Sequence, residues 1–235
     1  MDFSGWEKLS LVDFDHHIST TLFMAGCPFR CPFCHNADLV LNPGEAPKIP
    51  FEEILSYLKK RVGILDAVCI TGGEPTLMPD LKEKIKAIKD LGYLVKLDTN
   101  GWNPDLLEEL LKEHLVDCVA MDIKNAPMRY SKTAGVKVDL EKIDRSVRLL
   151  EDSNVEHEFR TTIMKEFHDE ESMEEIGHWI AGCKHYFLQR YIDNEHCIEH
   201  GFHPISKEKA EVLQRIVARY VPSVALRDYD ANDSK

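Results

Sequence analysis

Residues 20–36 read TTLFMAGCPFRCPFCHN. Thr20 to Met24 form a β-branched and apolar run that reads as a strand, and Gly26, Pro28 and Pro32 turn the next stretch of chain into a loop. That loop carries Cys27, Cys31 and Cys34 at C-x3-C-x2-C spacing. A closed zinc site takes four nitrogen or sulfur ligands. His35 is adjacent to Cys34 and would have to bend back to serve as the fourth, and Cys69 is distant in sequence. A [4Fe–4S] cube held by three thiolates keeps one iron open to a substrate or cofactor. Three buried, unmetallated thiols suit such a loop poorly.

Working outward, short β-rich runs alternate with amphipathic helical stretches, the mark of βαβ units around a parallel sheet. Strands are expected near STTLFMAG (19–26), DAVCITGG (66–73), YLVKLDTNG (93–101), CVAMDIK (118–124), HEFRTTIM (157–164), YFLQRYI (186–192) and SVALRDY (223–229). Between them Leu81, Ile85 and Ile88 share one helical face, as do Leu107, Leu110, Leu111 and His114, and later Leu213, Ile216, Val217 and Tyr220. Asn103 and Pro104 offer a helix cap and first turn. A doubly wound sheet and a closed or partial barrel share this alternation; in both, ligands gather where strands end. The three cysteines, GGEP (72–75), DTNG (98–101) and the DIK of MDIK (121–124) all lie at strand ends. With no repeat, linker or long charge run, one domain over 1–229 is expected, and DANDSK (230–235) reads as a flexible tail.

The formal charge of −12, from 41 acidic and 29 basic residues, disfavours nucleic acid and anionic membrane surfaces as partners. Neither a signal peptide nor 18 consecutive apolar residues is present, so a cytoplasmic protein is expected. Seven cysteines, unevenly spread in such a chain, point to metal or redox chemistry rather than disulfides.

The cysteine spacing, with aromatic Phe33 before the third thiol at the end of a first strand, resembles the radical S-adenosylmethionine (SAM) enzymes. GGEP, DTNG, MDIK and FRTTI (159–163) come after it in order. With GCPFRCPFCHN this set resembles the activating enzymes of glycyl radical proteins, most of all the anaerobic ribonucleoside-triphosphate reductase activating proteins, over roughly residues 5–229. The resemblance implies a parallel (β/α) partial barrel of about six βα units. It implies that Cys27, Cys31 and Cys34 bind a [4Fe–4S] cluster whose fourth iron is chelated by the amino and carboxylate groups of SAM. One electron then breaks the sulfonium C–S bond, giving methionine and a 5′-deoxyadenosyl radical. That radical would take hydrogen from a glycine of a partner glycyl radical enzyme, by resemblance the anaerobic ribonucleotide reductase, with the electron supplied by a low-potential donor such as flavodoxin or ferredoxin. Residue by residue, Gly72, Gly73, Glu74 and Pro75 would form the turn that meets the SAM ammonium. Asp98 and Asp122 fall on the methionine carboxylate side, Lys124 and Arg160 add positive charge, and Asn100 is a further cofactor-binding residue. Asp122 and Lys124 would carry catalytic parts, while Asn36 and the backbone at Phe33 would face adenine.

One departure from the family is VDFDHHIS (12–19). Asp13 matches, but Asp15, His16 and His17 stand where flexible small residues are usual, near the target loop in the family. His16 and His17 read more readily as an exposed turn. Cys69 and Cys118 read as small core residues. Cys183, His185, His196, Cys197, His200 and His203 are enough ligands for zinc but fit no spacing motif, and a polar surface loop is the better reading. Two other functions stand beside the activase: a radical SAM enzyme acting on a small molecule, such as a deazapurine-forming synthase, and a non-catalytic metal-binding or electron-transfer protein. The second would leave the ordered GGEP, DTNG and DIK stations without a purpose.

Overall fold

A computed structural model describes residues 2–229. Its strands are β1 (Gly5–Ser10), β2 (Ser19–Met24), β3 (Ala67–Gly72), β4 (Leu94–Thr99), β5 (Cys118–Asp122), β6 (Glu156–Ile163), β7 (His185–Arg190) and β8 (Ser223–Arg227). Its helices are α1 (Ala37–Leu41), α2 (Phe51–Lys59), α3 (Leu81–Lys89), α4 (Pro104–Lys112), α5 (Tyr130–Thr133), α6 (Leu140–Glu151), α7 (Glu170–Trp179) and α8 (Lys207–Val217). The chain divides into two compact units. Among the described residues, the first holds 2–28, 36–120 and 142–156; the second holds 29–35, 121–141 and 157–229. The tail expected at 230–235 lies outside the described residues.

In the first unit the strands run in the order β1-β2-β3-β4. β2, β3 and β4 are parallel, with Leu22 beside Ile70 and Ile70 beside Leu97, all three fully buried. Helices α2, α3 and α4 bring their own buried stripes, Ile54 and Leu58, then Leu81, Ile85 and Ile88, then Leu107, Leu110 and Leu111. Each such side chain contributes about 1.5–3 kcal/mol on burial. As the sequence predicts, the Asn103 side chain caps α4 by accepting from the Leu106 N–H, with Pro104 in the first turn. His114 falls outside the helix: it is exposed, with φ 52° just past the end of α4. Strand β1 is absent from the sequence reading. It pairs antiparallel with β2 around an irregularity between Glu7 and Ser10, and its half-exposed GWEKLS carries no clear alternation.

The other row of this sheet, Thr21, Cys69 and Lys96, is buried and polar. Lys96 donates to the Asp13 carbonyl at 2.7 Å, and Thr21 Oγ1 to the Asp13 carboxylate at 2.5 Å. Phe14 packs with Ala67, Cys69 and Cys118. The DFDHHIS turn therefore sits at the amino end of β2, six residues of strand, about 17 Å at ~3.3 Å per residue, from the end that leads into Cys27. His16 is exposed at φ 65°, and the His17 ring lies 4.5 Å from that of Phe14.

In the second unit β6, β7 and β8 are parallel neighbours, with Thr161 beside Leu188 and Leu188 beside Leu226. α7 begins with a reciprocal cap between Asp169 and Ser172, and α8 with Ser206. Buried Tyr130 stands edge-on to Trp179 at 5.9 Å. Residues 191–205, between β7 and α8, form no helix or strand beyond an isolated bridge from Pro204 to Met164. No described helix is long and apolar enough to cross a membrane.

Candidate functional site

The parallel register of the first unit puts Met24 level with Gly72, so the chain running into Cys27 and the GGEP turn leave the sheet side by side. Gly73 N–H donates to Met24 O and Glu74 N–H to Gly26 O, both at 2.8 Å. This closeness needs glycine. A Cβ on Gly73 would lie 2.0 Å from Gly26 O, and Gly72 holds φ 121°, a backbone conformation that side chains rarely adopt. Asn36, just past the cysteine loop, donates through Nδ2 to Gly72 O at 2.8 Å. Pro75 opens a short 3₁₀ turn.

Glu74 is fully buried, and its carboxylate is taken up by its neighbours. It accepts from Thr76 N–H (3.1 Å), Thr76 Oγ1 (2.6 Å), Thr99 Oγ1 (2.8 Å) and Asn100 N–H (2.7 Å). Burial pushes its pKa up while those four donors pull it back. Its side chain thus ties the GGEP turn to the end of β4, whereas the sequence reading directs it at the SAM ammonium. Asn100, fixed by that bond and by Trp102 N–H on its Oδ1 (3.0 Å), directs Nδ2 at Cys27 Sγ, 3.6 Å away. Asp98 is half-buried, 3.7 Å from Lys96 Nζ.

In the second unit Asp122, Lys124 and Arg160 come together. Asp122 Oδ1 accepts from Arg160 Nε at 3.0 Å and Oδ2 from Lys124 Nζ at 2.9 Å. Burial alone would raise the Asp122 pKa, but the two cations bring it down to about 2. For Lys124, burial works against the charge, and Asp122 together with Cys31 outweighs it and drives the pKa up. Cys31 is buried, and that burial pushes its thiol up to about 11 against the pull of Lys124. A coordinating metal reverses this by deprotonating the thiol outright. Cys34 N–H donates to Cys31 O at 3.0 Å, and buried Phe33 packs on Phe167 at 6.0 Å.

Sequence reasoning missed several residues that hold these groups. His168 is buried, accepts from Met164 N–H on Nδ1 and meets Lys124 O through Nε2 at 3.0 Å. That fixes the ring as the neutral Nε2–H tautomer, and burial lowers its pKa to about 4. Tyr130 OH donates to Asp122 O at 3.3 Å. Thr76 and Thr99 carry no signal as letters. Thr76 stands two residues after Glu74, whereas Thr99 gains its part only through closeness in space that the chain does not show.

Of the possible zinc ligands, Cys183 and Cys197 are buried, while His196, His200 and His203 are exposed beside Glu195, Asp193 and Glu166. Among the described residues, no three His, Cys, Asp or Glu side chains are gathered as a metal-holding set.

Residues 21–180 match the family model of the radical SAM superfamily. A protein of Methanocaldococcus jannaschii, provisionally named a glycyl-radical enzyme activating enzyme, is 33% identical over 232 residues, 95% of each chain. Among solved structures, a domain of pyruvate-formate lyase-activating enzyme from Bacteroides vulgatus has a TM-score of 0.57 at 18% identity, covering 68% of this chain and 98% of its own. Streptococcus suis SuiB bound to S-adenosylmethionine has a TM-score of 0.69 at 15% identity, covering 88% of this chain and 51% of SuiB, about half its length. The fold is accordingly α/β, a mostly parallel sheet in a partial barrel. The chain is an enzyme of the radical SAM superfamily, the class that works with a [4Fe–4S] cluster and SAM. Within that class it belongs to the glycyl-radical enzyme activating family.

The donor chemistry of the residues present suits both cofactors. All seven cysteines are free thiols, so none of the three in the loop is tied up in a disulfide. Asn100 already offers an N–H to the sulfur of Cys27, and hydrogen bonds to sulfur are among the levers on iron–sulfur potentials. Glycine at 72 and 73 lets the chain running into Cys27 lie directly against the GGEP turn, where a Cβ would strike the backbone of Met24 or Gly26.

Proposed function

We propose that this protein is a glycyl radical activase whose partner is an anaerobic ribonucleotide reductase. The observation that carries the reading is the three-thiol loop laced by backbone bonds to the GGEP turn, in a chain that matches an activating enzyme end to end. When bound, the cluster and SAM would supply one-electron cleavage of the sulfonium, the chemistry that hydrogen removal from a partner's glycine requires.

In this reading Cys27, Cys31 and Cys34 hold the cluster, and Asn100 fixes the Cys27 sulfur. The Gly72–Pro75 backbone meets the ammonium of SAM, with Glu74 as the buried anchor of that turn. Arg160 and Lys124, bridged by Asp122, would meet its carboxylate. Asn36 and the backbone at Phe33 border the adenine, and Asp98 lies on the carboxylate side. A flavodoxin or ferredoxin supplies the electron, in the cytoplasm, and residues 1–229 act as one catalytic domain.

The test is anaerobic reconstitution and then reduction with SAM, with iron content, 5′-deoxyadenosine release and glycyl radical EPR as readouts. Cys31→Ala should lose both cluster and SAM cleavage; retention of both would overturn the site. A glycyl radical EPR signal should appear on adding anaerobic ribonucleotide reductase. Intact SAM cleavage without that signal would overturn the choice of partner.

A further inference from the structure

Residues 191–205 lie in the second unit together with residues 29–35. Ile198 N–H donates to Cys34 O at 3.2 Å, and Glu199 N–H to Pro32 O at 2.7 Å. His35 Nε2 meets Ile192 O at 2.6 Å. The contact continues through aromatic rings: Phe33 on Phe167 at 6.0 Å, Phe167 on Phe202 at 5.4 Å, and Phe202 on buried Tyr191 at 6.2 Å. Two carboxylates pin the segment. Glu166 takes the His203 N–H at 3.1 Å and pairs with its ring at 2.7 Å, while Asp193 takes the Gly201 N–H at 3.2 Å and pairs with His200 at 2.9 Å. Elsewhere on the loop Arg30 N–H donates to Ala134 O at 2.9 Å.

We propose that residues 191–205 form a strap that fixes the backbone on both sides of Cys34 before iron arrives and so governs how firmly that thiol holds a cluster. Phe202 and the Glu199 N–H are its positioning elements. The carbonyls of Pro32 and Cys34 flank the third thiol, so holding them restricts where Cys34 can present its sulfur. A loop already ordered by such contacts loses little freedom on taking up metal, and groups outside a metal's ligand set also govern its retention. The strap therefore acts on how well the cluster is kept. The inference rests on the assignment of Cys31 and Cys34 as cluster ligands.

The experiment uses the full chain, reconstituted anaerobically, with Phe202→Ala, Glu199→Pro, Glu199→Ala and Cys34→Ala compared with the parent. Readouts are iron per chain, the rate at which the cluster's visible absorbance bleaches in air, and the circular dichroism of the iron-free proteins. Glu199→Pro removes the N–H that Pro32 O accepts, whereas Glu199→Ala keeps it and trims only an exposed side chain. Phe202→Ala and Glu199→Pro should bleach about ten-fold faster, and Glu199→Ala should match the parent. Parent-like iron content and bleaching in Glu199→Pro, with Cys34→Ala devoid of cluster, would overturn the strap. A full cluster in Cys34→Ala would instead overturn the ligand assignment. Should Phe202→Ala fail to fold, the Glu199 pair decides.

Discussion

Replacing Gly73 with alanine tests the junction between the cysteine loop and the GGEP turn. The added methyl would stand 2.0 Å from Gly26 O and 2.7 Å from its carbonyl carbon, where real Cβ contacts do not fall below 3.0 Å. Those neighbours are backbone atoms and cannot rotate away, so the two chains must part by about 1 Å. That movement breaks the Glu74 N–H to Gly26 O bond and strains the one from Gly73 N–H to Met24 O. Overpacking of this kind costs about 1–3 kcal/mol and the lost bond about 1 kcal/mol. Together they predict roughly 2–4 kcal/mol of destabilisation. Denaturant unfolding of the iron-free protein should show a lower midpoint at unchanged slope, and the reconstituted protein should bind SAM more weakly. Stability within about 0.5 kcal/mol of the parent, with unchanged SAM affinity, would refute the reasoning.

Glu74→Gln would aim an amide N–H₂ at a site already filled by donors from Thr76, Thr99 and Asn100, at a cost of about 1–3 kcal/mol read as a lower melting temperature. A melt unchanged from the parent would contradict the anchor role. Asp122→Asn would remove the carboxylate between Lys124 and Arg160 and should destabilise on the order of 3 kcal/mol, with Asp122→Asn/Lys124→Met recovering part in thermal unfolding; no recovery would speak against charge as the cause. For His168 the unfolded chain takes up a proton near pH 6.5, while burial keeps the folded ring neutral down to about 4. Stability therefore falls as the pH drops from about 6.5 to about 4 and levels off below, by at most about 3 kcal/mol. His168→Gln should flatten that limb in a stability–pH series.

Seven of the eight strands were legible because their apolar runs are dense and each is closed by glycine or a polar station, as in AVCITGG and LVKLDTNG. β1 was not: its antiparallel pairing depends on a distant partner, and only one residue of GWEKLS is fully buried. The order of the first stations pointed to one edge of the sheet, since the parallel register sets the ends of β2, β3 and β4 side by side. Side-chain direction was harder. GGEP read as a ligand contact, yet Glu74 turns inward because Thr76 and Thr99 offer it donors, and that depends on geometry no single stretch encodes. The stretch from Cys183 to His203 read as a polar surface loop, since histidines and acids dominate its letters and the buried Tyr191 and Cys197 are outnumbered.

The partners in the second unit also differ greatly in when they are made. Cys34 and the Ile198 N–H that meets its carbonyl are about 160 residues apart. At a synthesis rate of roughly 5–20 residues per second, the cysteine loop leaves the ribosome some 10–30 s before the segment that fastens it exists. During that interval its thiols emerge without those contacts and open to oxidation. Iron loading that waits for the finished chain would meet a fastened loop, and so the timing of cluster delivery, as well as the ligands themselves, bears on how much active protein a cell obtains.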